Sequence, residues 1–270
     1  MSVEGGAELQ VAVADGVATL TLDRPDARNA LSVALRDDLL RAVRACRADD
    51  EVRAVHLRGA NGVFCAGMDL RESTAARAGS TGFDPRSMAH ALHEGVHAIV
   101  RELWELDKPT VAEVDGPAIG PGAHLALACD LVVTQPASSF SWPFSTIGLV
   151  VDAGGAYLLP RLVGLARAKA LVLLAESLDG DAAVREGLAY RCVPAEELPA
   201  VARELVGRLA AGPTRALGMS KRLLNASFES DLARSLEQEA AYQSLATASA
   251  DLVEGLAAFR GKRDPGFTGH

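Results

Sequence analysis

The sequence predicts an α/β fold in which many strands pair in parallel. Short apolar strand segments alternate with helical segments through the first two thirds of the chain, in the order β-β-α-β-α-β-α-β. After about Glu196 the pattern indicates only helices, at 197–210, 213–227, 232–246 and 249–260. We therefore expect a core at 1–195 and a helical C-terminal region at 196–270 that serves as an oligomerisation surface or as a lid.

The N-terminal elements carry clear local signals. Alternating apolar residues between Leu9 and Leu22 flank Asp15-Gly16, a dipeptide that favours the positive φ angles of a tight hairpin turn. Ser32 is a suitable N-cap for a helix that runs to about Arg47. Further strands are expected at 52–57, 110–114 and 131–134, and further helices at 86–106 and 123–128.

Two glycine-rich turns, at 59–67 and 116–122, each follow a predicted strand. Glycine has no Cβ, so its main chain can approach another group closely. The segment 71–85 has mostly small and polar residues without periodicity, and we expect it to be a mobile loop.

Composition limits the classes of function. The chain has 270 residues, of which 49% are hydrophobic, and this is enough to bury a sizeable core. A formal net charge of −8 and a pI of about 5.3 argue against nucleic acid or an anionic membrane as the main partner. The four cysteines form no Cys-x-x-Cys pair, so neither a disulfide framework nor a metal site is suggested. The N-terminus lacks signal-peptide features, no run of about 18 apolar residues occurs, and a cytoplasmic location is expected.

Six segments together resemble the enoyl-CoA hydratase/isomerase (crotonase) family, in the order and at the spacing of that family. They are DRPDARNALS (23–32), FCAGMDL (64–70), DGPAIGPGAHLALACDLVV (115–133), GLVVDAGGAYLLPRLVGLARA (148–168), EGLAYRCVP (186–194) and EGLAAFRGKRDPGF (254–267). The resemblance implies a spiral of ββα units with a helical C-terminal region. It also implies a homotrimer or a hexamer of two trimers that binds an acyl-CoA thioester. Coenzyme A would be part of the substrate, and no separate cofactor is implied.

Family members stabilise a thioester enolate with two main-chain N–H groups. By resemblance the first belongs to Met68 and the second falls at position 121. Pro121 has no N–H, so either this donor is missing or the neighbouring Gly122 replaces it. Proline also suits the first turn of a helix, where a free N–H is not needed.

The two glutamates that hydratases of this family use are absent. His124 and Phe144 occupy their positions, and phenylalanine cannot transfer a proton. His124 could do so, because imidazole titrates near neutral pH, or it could be a packed helix histidine.

Asp152 stands where dienoyl-CoA isomerases and 4-chlorobenzoyl-CoA dehalogenase carry a catalytic aspartate. Apolar surroundings would raise its pKa and suit proton transfer, although it could also cap the following helix. The dehalogenase has a helical histidine at the position of His97. The chain also has His90 and His93 on the same predicted helix, so a solvated histidine face is the simpler interpretation.

The resemblance further implies contacts to the acyl-CoA. Arg28 would lie near the pantetheine and phosphates, and Phe259 and Lys262 would reach the nucleotide, often that of a neighbouring subunit. Their structural alternatives are a turn residue, a packed helix residue and a solvated charge, respectively. The other expected acyl-CoA-binding residues are Ala66, Gly67, Asp69, Leu70, Gly120 and Phe144.

We therefore expect an enzyme that acts on an enoyl- or aroyl-CoA by enolate-stabilised proton transfer, with Asp152 and His124 as the candidate groups. Isomerase or related lyase chemistry fits the retained groups best. The alternatives are a non-catalytic acyl-CoA-binding protein, an ordinary enoyl-CoA hydratase, which His124 and Phe144 disfavour, and an aroyl-CoA dehalogenase.

Overall fold

The computed structural model describes residues 3–72 and 85–270, so the expected mobile loop at 71–85 lies almost entirely outside the described residues. Its strands are β1 (Leu9–Ala14), β2 (Val17–Leu22), β3 (Ala54–Gly59), β4 (Thr110–Val114), β5 (Pro117–Ile119), β6 (Leu131–Thr134), β7 (Ser139–Ser141), β8 (Ser177–Asp179) and β9 (Arg191–Cys192).

Helices surround these strands and make up the C-terminal part of the chain. They are α1 (Val33–Ala48), α2 (Pro85–Glu94), α3 (Val96–Trp104), α4 (Pro121–Leu127), α5 (Gly155–Val163), α6 (Leu165–Leu173), α7 (Gly180–Arg185), α8 (Leu198–Ala210), α9 (Thr214–Ala226), α10 (Leu232–Thr247) and α11 (Ala250–Gly261).

The strands form two sheets. The larger has the order β1-β2-β3-β4-β6-β9, with β1 antiparallel to β2 and every other neighbouring pair parallel. The smaller has the order β5-β7-β8, with β5 parallel and β8 antiparallel to β7. Parallel strands end at the same edge of a sheet, so the segments that follow β3 and β4 emerge side by side.

The local signals of the N-terminal part are confirmed. Asp15 and Gly16 form the turn between β1 and β2 with φ angles of 51° and 75°. The hydroxyl of Ser32 accepts a hydrogen bond of 2.9 Å from the main-chain N–H of Leu35 and so caps α1. The buried face of α1 packs into the main core between the helices and the large sheet.

The expected single helix at 86–106 is wrong, because the chain forms two helices, α2 and α3, that are separated at Gly95. Gly95 has φ −97° and ψ −113°, which is outside the helical region. A Cβ at this position would lie 2.8 Å from a guanidinium nitrogen of Arg36. A side chain from a distant part of the sequence thus packs against the main chain at this break.

Helix α8 packs on the large sheet. Val206 and Ala210 of this helix are buried together with Ala54, Val111 and Val133 of three neighbouring strands. The division of the chain at 195/196 stays a prediction. The first helix of the C-terminal region shares a buried apolar cluster with the large sheet. Among the described helices, none combines the length and the apolar character needed to cross a membrane.

Lys221 connects the C-terminal helices to the core. Its side chain is 8% exposed, and Nζ donates hydrogen bonds of 3.0 Å to the main-chain oxygen of Leu103 and to Oδ2 of Asp130. The same carboxylate oxygen accepts hydrogen bonds from the N–H and the hydroxyl of Thr110 at the start of β4.

We predict that Lys221→Met lowers the free energy of unfolding by about 1–3 kcal/mol, because the apolar stem remains while the carbonyl of Leu103 loses its donor and Asp130 loses its ion-pair partner. Urea denaturation measures the change. Lys169→Met, at an exposed lysine of α6, is the control and should stay within about 0.5 kcal/mol of the wild type. Equal stability of the two variants would contradict the role given to Lys221.

Candidate active site

The segments that follow β3 and β4 run side by side and form the centre of the site. Cys65 and Ala118 form a parallel bridge. The N–H of Cys65 donates to the carbonyl of Pro117 at 3.0 Å, and the N–H of Ile119 donates to the carbonyl of Cys65 at 2.9 Å.

Glycine is required at two points of this contact. Gly67 has φ 88°, and a Cβ there would lie 2.7 Å from the carbonyl oxygen of Ile119. A Cβ at Gly122 would overlap the carbonyl oxygen of Cys65. This close approach places Met68 beside the beginning of α4.

The main-chain N–H of Met68 is available to a ligand. On either side of it, the N–H of Leu31 donates to Gly67 at 2.8 Å and the N–H of Asp69 donates to Leu31 at 3.3 Å. Within residues 3–72 and 85–270, the N–H of Met68 donates no main-chain hydrogen bond. The structure thus leaves this amide free, as an oxyanion-hole donor requires.

The second donor position lacks an N–H. Pro121 is the first residue of α4, so the interpretation of this proline as a first-turn residue is confirmed. The preceding N–H, that of Gly120, already donates to Ser141 of β7 at 2.8 Å. The first N–H that α4 offers is that of Gly122, which lies in the turn where amides have no acceptor within the helix. Any replacement donor therefore sits one residue further along the chain than the resemblance implies.

Asp152 lies in the turn before α5. Its carboxyl is partly buried, and Oδ1 is buried without a hydrogen-bond partner among the described residues. Burial raises its pKa to about 6, an effect that its own main-chain N–H only partly offsets. The alternative that Asp152 caps the next helix is wrong, because α5 begins after Gly154 and has no side-chain cap.

His124 is completely buried, and its imidazole is stacked on the ring of Phe144 with 5.9 Å between centroids and 6° between planes. Neither ring nitrogen has a hydrogen-bond partner in the described part of the chain. Burial lowers the pKa of His124 to about 3, and the nearby main-chain carbonyl of Asp152 opposes this only partly. Of the two alternatives for His124, the packed helix histidine agrees with this burial, whereas an imidazole that titrates near neutral pH does not. A catalytic role of His124 stays a prediction.

The ring of Phe144 packs between the imidazole of His124 and the main chain of Gly120. Its side chain is 6% exposed, and its Cζ would lie 3.3 Å from a Cβ at Gly120. Both positions at which hydratases carry a glutamate are thus occupied by uncharged rings that pack on each other.

A surface depression of about 280 Å³ opens beside Met68. Its lining residues are Asp26, Ala27, Arg28, Ala30, Ala66, Met68, Asp69, Leu70 and Arg71. It brings together several residues that sequence reasoning assigned to acyl-CoA binding. It does not include Phe259 or Lys262 of the same chain.

Arg28 is exposed in this depression and is held there by its neighbour. Arg28 has φ 51°, and its carbonyl accepts a 3.1 Å hydrogen bond from the N–H of Ala66. The buried side chain of Asn29 donates to the carbonyls of Ala60 and Val63, at 3.0 and 2.7 Å. Sequence reasoning described Asn29 only as a turn residue, and the structure shows that it joins the Arg28 turn to the segment after β3.

Asp69 forms an ion pair instead of presenting a free carboxylate. It is 6% exposed and lies 2.6 Å from Nη1 of Arg24, a residue that sequence reasoning missed. Burial favours the neutral acid, but the hydrogen bond from Arg24 holds the pKa of Asp69 below its usual range. The pair fixes the segment that carries Met68 and places no unpaired negative charge beside an incoming phosphate.

Phe259 and Lys262 lie at the end of α11. The ring of Phe259 is 84% exposed, so the alternative that it packs within this chain is wrong. Lys262 ends the helix in the left-handed conformation, with φ 50°. Their contact with a nucleotide stays a prediction.

The three histidines on α2 and α3 differ in exposure. His90 and His93 on α2 are exposed, whereas His97 on α3 is partly buried. Nε2 of His97 has no hydrogen-bond partner among the described residues, and burial lowers the pKa of the ring. One turn later on α3, Cγ1 of Val100 would lie 3.0 Å from a Cβ at Gly154, so this helix packs against the turn that carries Asp152.

Comparisons with known proteins agree with this geometry. The family model described as enoyl-CoA hydratase/isomerase matches residues 12–270. The chain belongs to this family. As a crotonase-family protein it is also similar to a solved structure, the putative enoyl-CoA hydratase/isomerase from Mycobacterium abscessus, with a TM-score of 0.91 and 35% identity, covering 97% of this chain and all of that one.

Curated relatives within this family carry different activities in their names. The chain is 38% identical to 1,2-epoxyphenylacetyl-CoA isomerase of Escherichia coli K12, over 95% of this chain and 97% of the relative. It is 32% identical to 4-chlorobenzoyl coenzyme A dehalogenase-2 of an Arthrobacter species, over 97% of this chain and 94% of the relative. The family and fold expected from the sequence are thus confirmed, whereas the specific reaction is not determined by these similarities.

We predict that Pro121→Ala increases the rate of enolate formation from an acyl-CoA about tenfold or more, because alanine restores an N–H at the second donor position. One donor of this kind typically contributes roughly 3–4 kcal/mol to transition-state stabilisation. Exchange of the proton next to the thioester carbonyl in D₂O, followed by mass spectrometry, measures the rate.

Pro160→Ala, inside α5, is the control for removal of a helical proline. It should leave the exchange rate within about twofold of the wild type, because residue 160 is not at a donor position of the oxyanion hole. An unchanged rate in Pro121→Ala, with the fold intact, would show that the N–H of Gly122 already serves as the second donor.

Proposed function

We propose that this protein is an acyl-CoA isomerase in which Asp152 removes a proton from carbon activated by the thioester and returns it at another carbon. The observation that carries this proposal is the partly buried carboxyl of Asp152, which has an unpartnered Oδ1 and a pKa of about 6. A carboxyl with such a pKa is ionised enough to accept a proton at neutral pH and acidic enough to return it.

The rest of the site supports proton transfer without water addition. Hydration needs a group that activates water and a group that delivers a proton. His124, with its pKa near 3, and Phe144 do neither at neutral pH. A single carboxyl is sufficient for an isomerisation, because the same group accepts a proton at one carbon and delivers one at another. Exchange of the carboxyl proton with solvent between the two steps introduces deuterium when the reaction runs in D₂O.

In this proposal the thioester oxygen lies against the N–H of Met68, which has no competing main-chain acceptor among the described residues. Arg28, exposed at the mouth of the depression, contacts the pantetheine or a phosphate. The name of the Escherichia coli relative, 1,2-epoxyphenylacetyl-CoA isomerase, supports an isomerisation and an aryl-substituted acyl-CoA as the substrate.

Apolar side chains exposed on the C-terminal helices support assembly with further copies of the chain, as a trimer or a hexamer. Among them, Phe228, Leu232, Val253 and Phe259 are each about seven-tenths exposed or more.

A second candidate is an aroyl-CoA dehalogenase in which Asp152 attacks the ring carbon that carries the halogen. His97 favours it, because its half-buried ring lies on the helix that packs against the Asp152 turn. The Arthrobacter relatives support this alternative by name. Pro121 weighs on both reactions alike, because each places negative charge on the thioester oxygen and position 121 offers no N–H beside that of Met68. Binding of acyl-CoA without turnover is the remaining alternative.

We predict that kcat/KM for isomerisation rises with pH to a plateau, with a midpoint near pH 6, because only ionised Asp152 accepts a proton. Asp152→Asn should lower kcat at least a hundredfold and leave the Kd for acyl-CoA within about threefold. Asp37→Asn, at an exposed acid of α1, is the matched control and should behave as the wild type.

The assay uses a 3-enoyl-CoA, a 2-enoyl-CoA, an aryl-substituted acyl-CoA and 4-chlorobenzoyl-CoA, with product analysis by mass spectrometry. Turnover that persists in Asp152→Asn would overturn the proposal. Chloride release from the last substrate would favour the dehalogenase instead. Tight binding of all four substrates without any turnover by the wild type would favour a binding protein.

A further inference from the structure

The imidazole of His124 is wedged between Phe144 and the main chain of Gly155. Its face lies parallel to the Phe144 ring. Its edge lies so close to Gly155 that a Cβ there would overlap both Cε1 and Nε2. Gly155 donates its N–H to the carbonyl of Asp152 at 2.9 Å, so the imidazole bears directly on the turn that carries the proposed acid.

This turn requires support from outside. Ala153 is completely buried and has φ 46°, and Gly154 follows with φ 80°. A residue with a Cβ is strained in the left-handed region, and such conformations persist only where the surroundings fix them. The surroundings are His124 on α4 and, on the side of α3, Val100 against Gly154.

The packing around His124 extends to the proposed oxyanion hole at the start of α4. Phe144, stacked on His124, packs against Gly120, which immediately precedes the donor position at 121. One continuous set of packed groups thus runs from the start of α4 to Asp152.

We propose that His124 is a positioning residue, whose uncharged imidazole holds the Asp152–Gly155 turn and so aims the Asp152 carboxyl, and that residue 155 must be glycine to admit the ring. The inference rests on the proposed role of Asp152. In this inference His124 acts by packing and transfers no proton. The titratable side chains on α4 and α3 are His124 on α4 and His97, Arg101 and Glu102 on α3. His97 lies one turn before Val100, whereas Arg101 is exposed and Glu102 pairs with Arg44 and Arg47.

Gly155→Ala should displace the imidazole and loosen the turn, lowering kcat about tenfold to a hundredfold without changing the Kd for acyl-CoA. Because burial raises the pKa of Asp152, a loosened turn that admits water should move the midpoint of the pH–rate profile downward from about 6. His124→Ala should shift kcat and the midpoint in the same directions.

The double variant gives the sharper result. In His124→Ala/Gly155→Ala the new methyl group no longer overlaps the ring and meets only Cγ2 of Val151, at 2.7 Å, so kcat should be higher than the product of the two single effects predicts. This is strong non-additivity, as a double-mutant cycle measures for residues in contact. His124→Leu, of similar volume and without ring nitrogens, should keep kcat within about threefold and the midpoint near that of the wild type.

Two controls match these changes. Gly207→Ala on α8 adds a methyl group where nothing lies within 4 Å, and His93→Ala removes an exposed histidine. Both should leave kcat and the midpoint unchanged. Thermal unfolding of each variant identifies any that fails to fold. If Gly155→Ala fails to fold, the double variant and His124→Leu decide the question.

The outcomes separate the two claims. If Asp152→Asn retains turnover, the proposed function fails. A second outcome is that Asp152→Asn is inactive, the effects of His124→Ala and Gly155→Ala on kcat are additive, and the midpoint of the pH–rate profile does not move. In that case the positioning role of His124 is wrong, whereas the proposed function stands. A large loss of kcat in a folded His124→Leu would also overturn the positioning role, because the ring nitrogens would then act in the chemistry.

Discussion

The close main-chain contact between Cys65 and Gly122 determines where the other groups of the site lie. A Cβ at residue 122 would overlap the carbonyl of Cys65, so the segment after β3 and the beginning of α4 meet at a distance that only glycine permits. From this contact follow the position of the Met68 N–H and the direction of α4. Helix α4 carries His124 into the core, where it supports the turn of Asp152.

The site that results contains uncharged rings around a single acid. Two aromatic side chains fill the places of the hydratase glutamates and pack on each other in the core. The burial that makes His124 a poor base is the same property that raises the pKa of Asp152. The losses that argue against hydratase chemistry thus favour proton transfer by one carboxyl.

Much of the fold could be predicted because its signals are local. The Asp15-Gly16 turn, the Ser32 cap and the glycine-rich turns each depend on a few neighbouring residues. Strands such as β5 and β7 were missed because three residues are too few to show a period. Arg36 packs against the break at Gly95, and nothing near Gly95 in the sequence indicates that contact.

In the site, too, the features that depend on residues distant in the sequence could not be predicted. The residues around Met68, Pro121 and Asp152 could be named from their resemblance to the family. The ionisation of His124 could not, because Phe144 and Gly155 set it from other segments of the chain. The pairing of Asp69 with Arg24, 45 residues earlier, likewise became visible only in three dimensions.

The central claim is that Asp152 exchanges a proton with the acyl group and that no water is added. Mass spectrometry of a 3-enoyl-CoA and an aryl-substituted acyl-CoA, incubated in D₂O with the wild type and with Asp152→Asn, tests it most directly. The account predicts that the wild type incorporates deuterium without addition of water, and that the variant incorporates none while still binding the ligand. Addition of water by the wild type, or undiminished deuterium incorporation by Asp152→Asn, would contradict it.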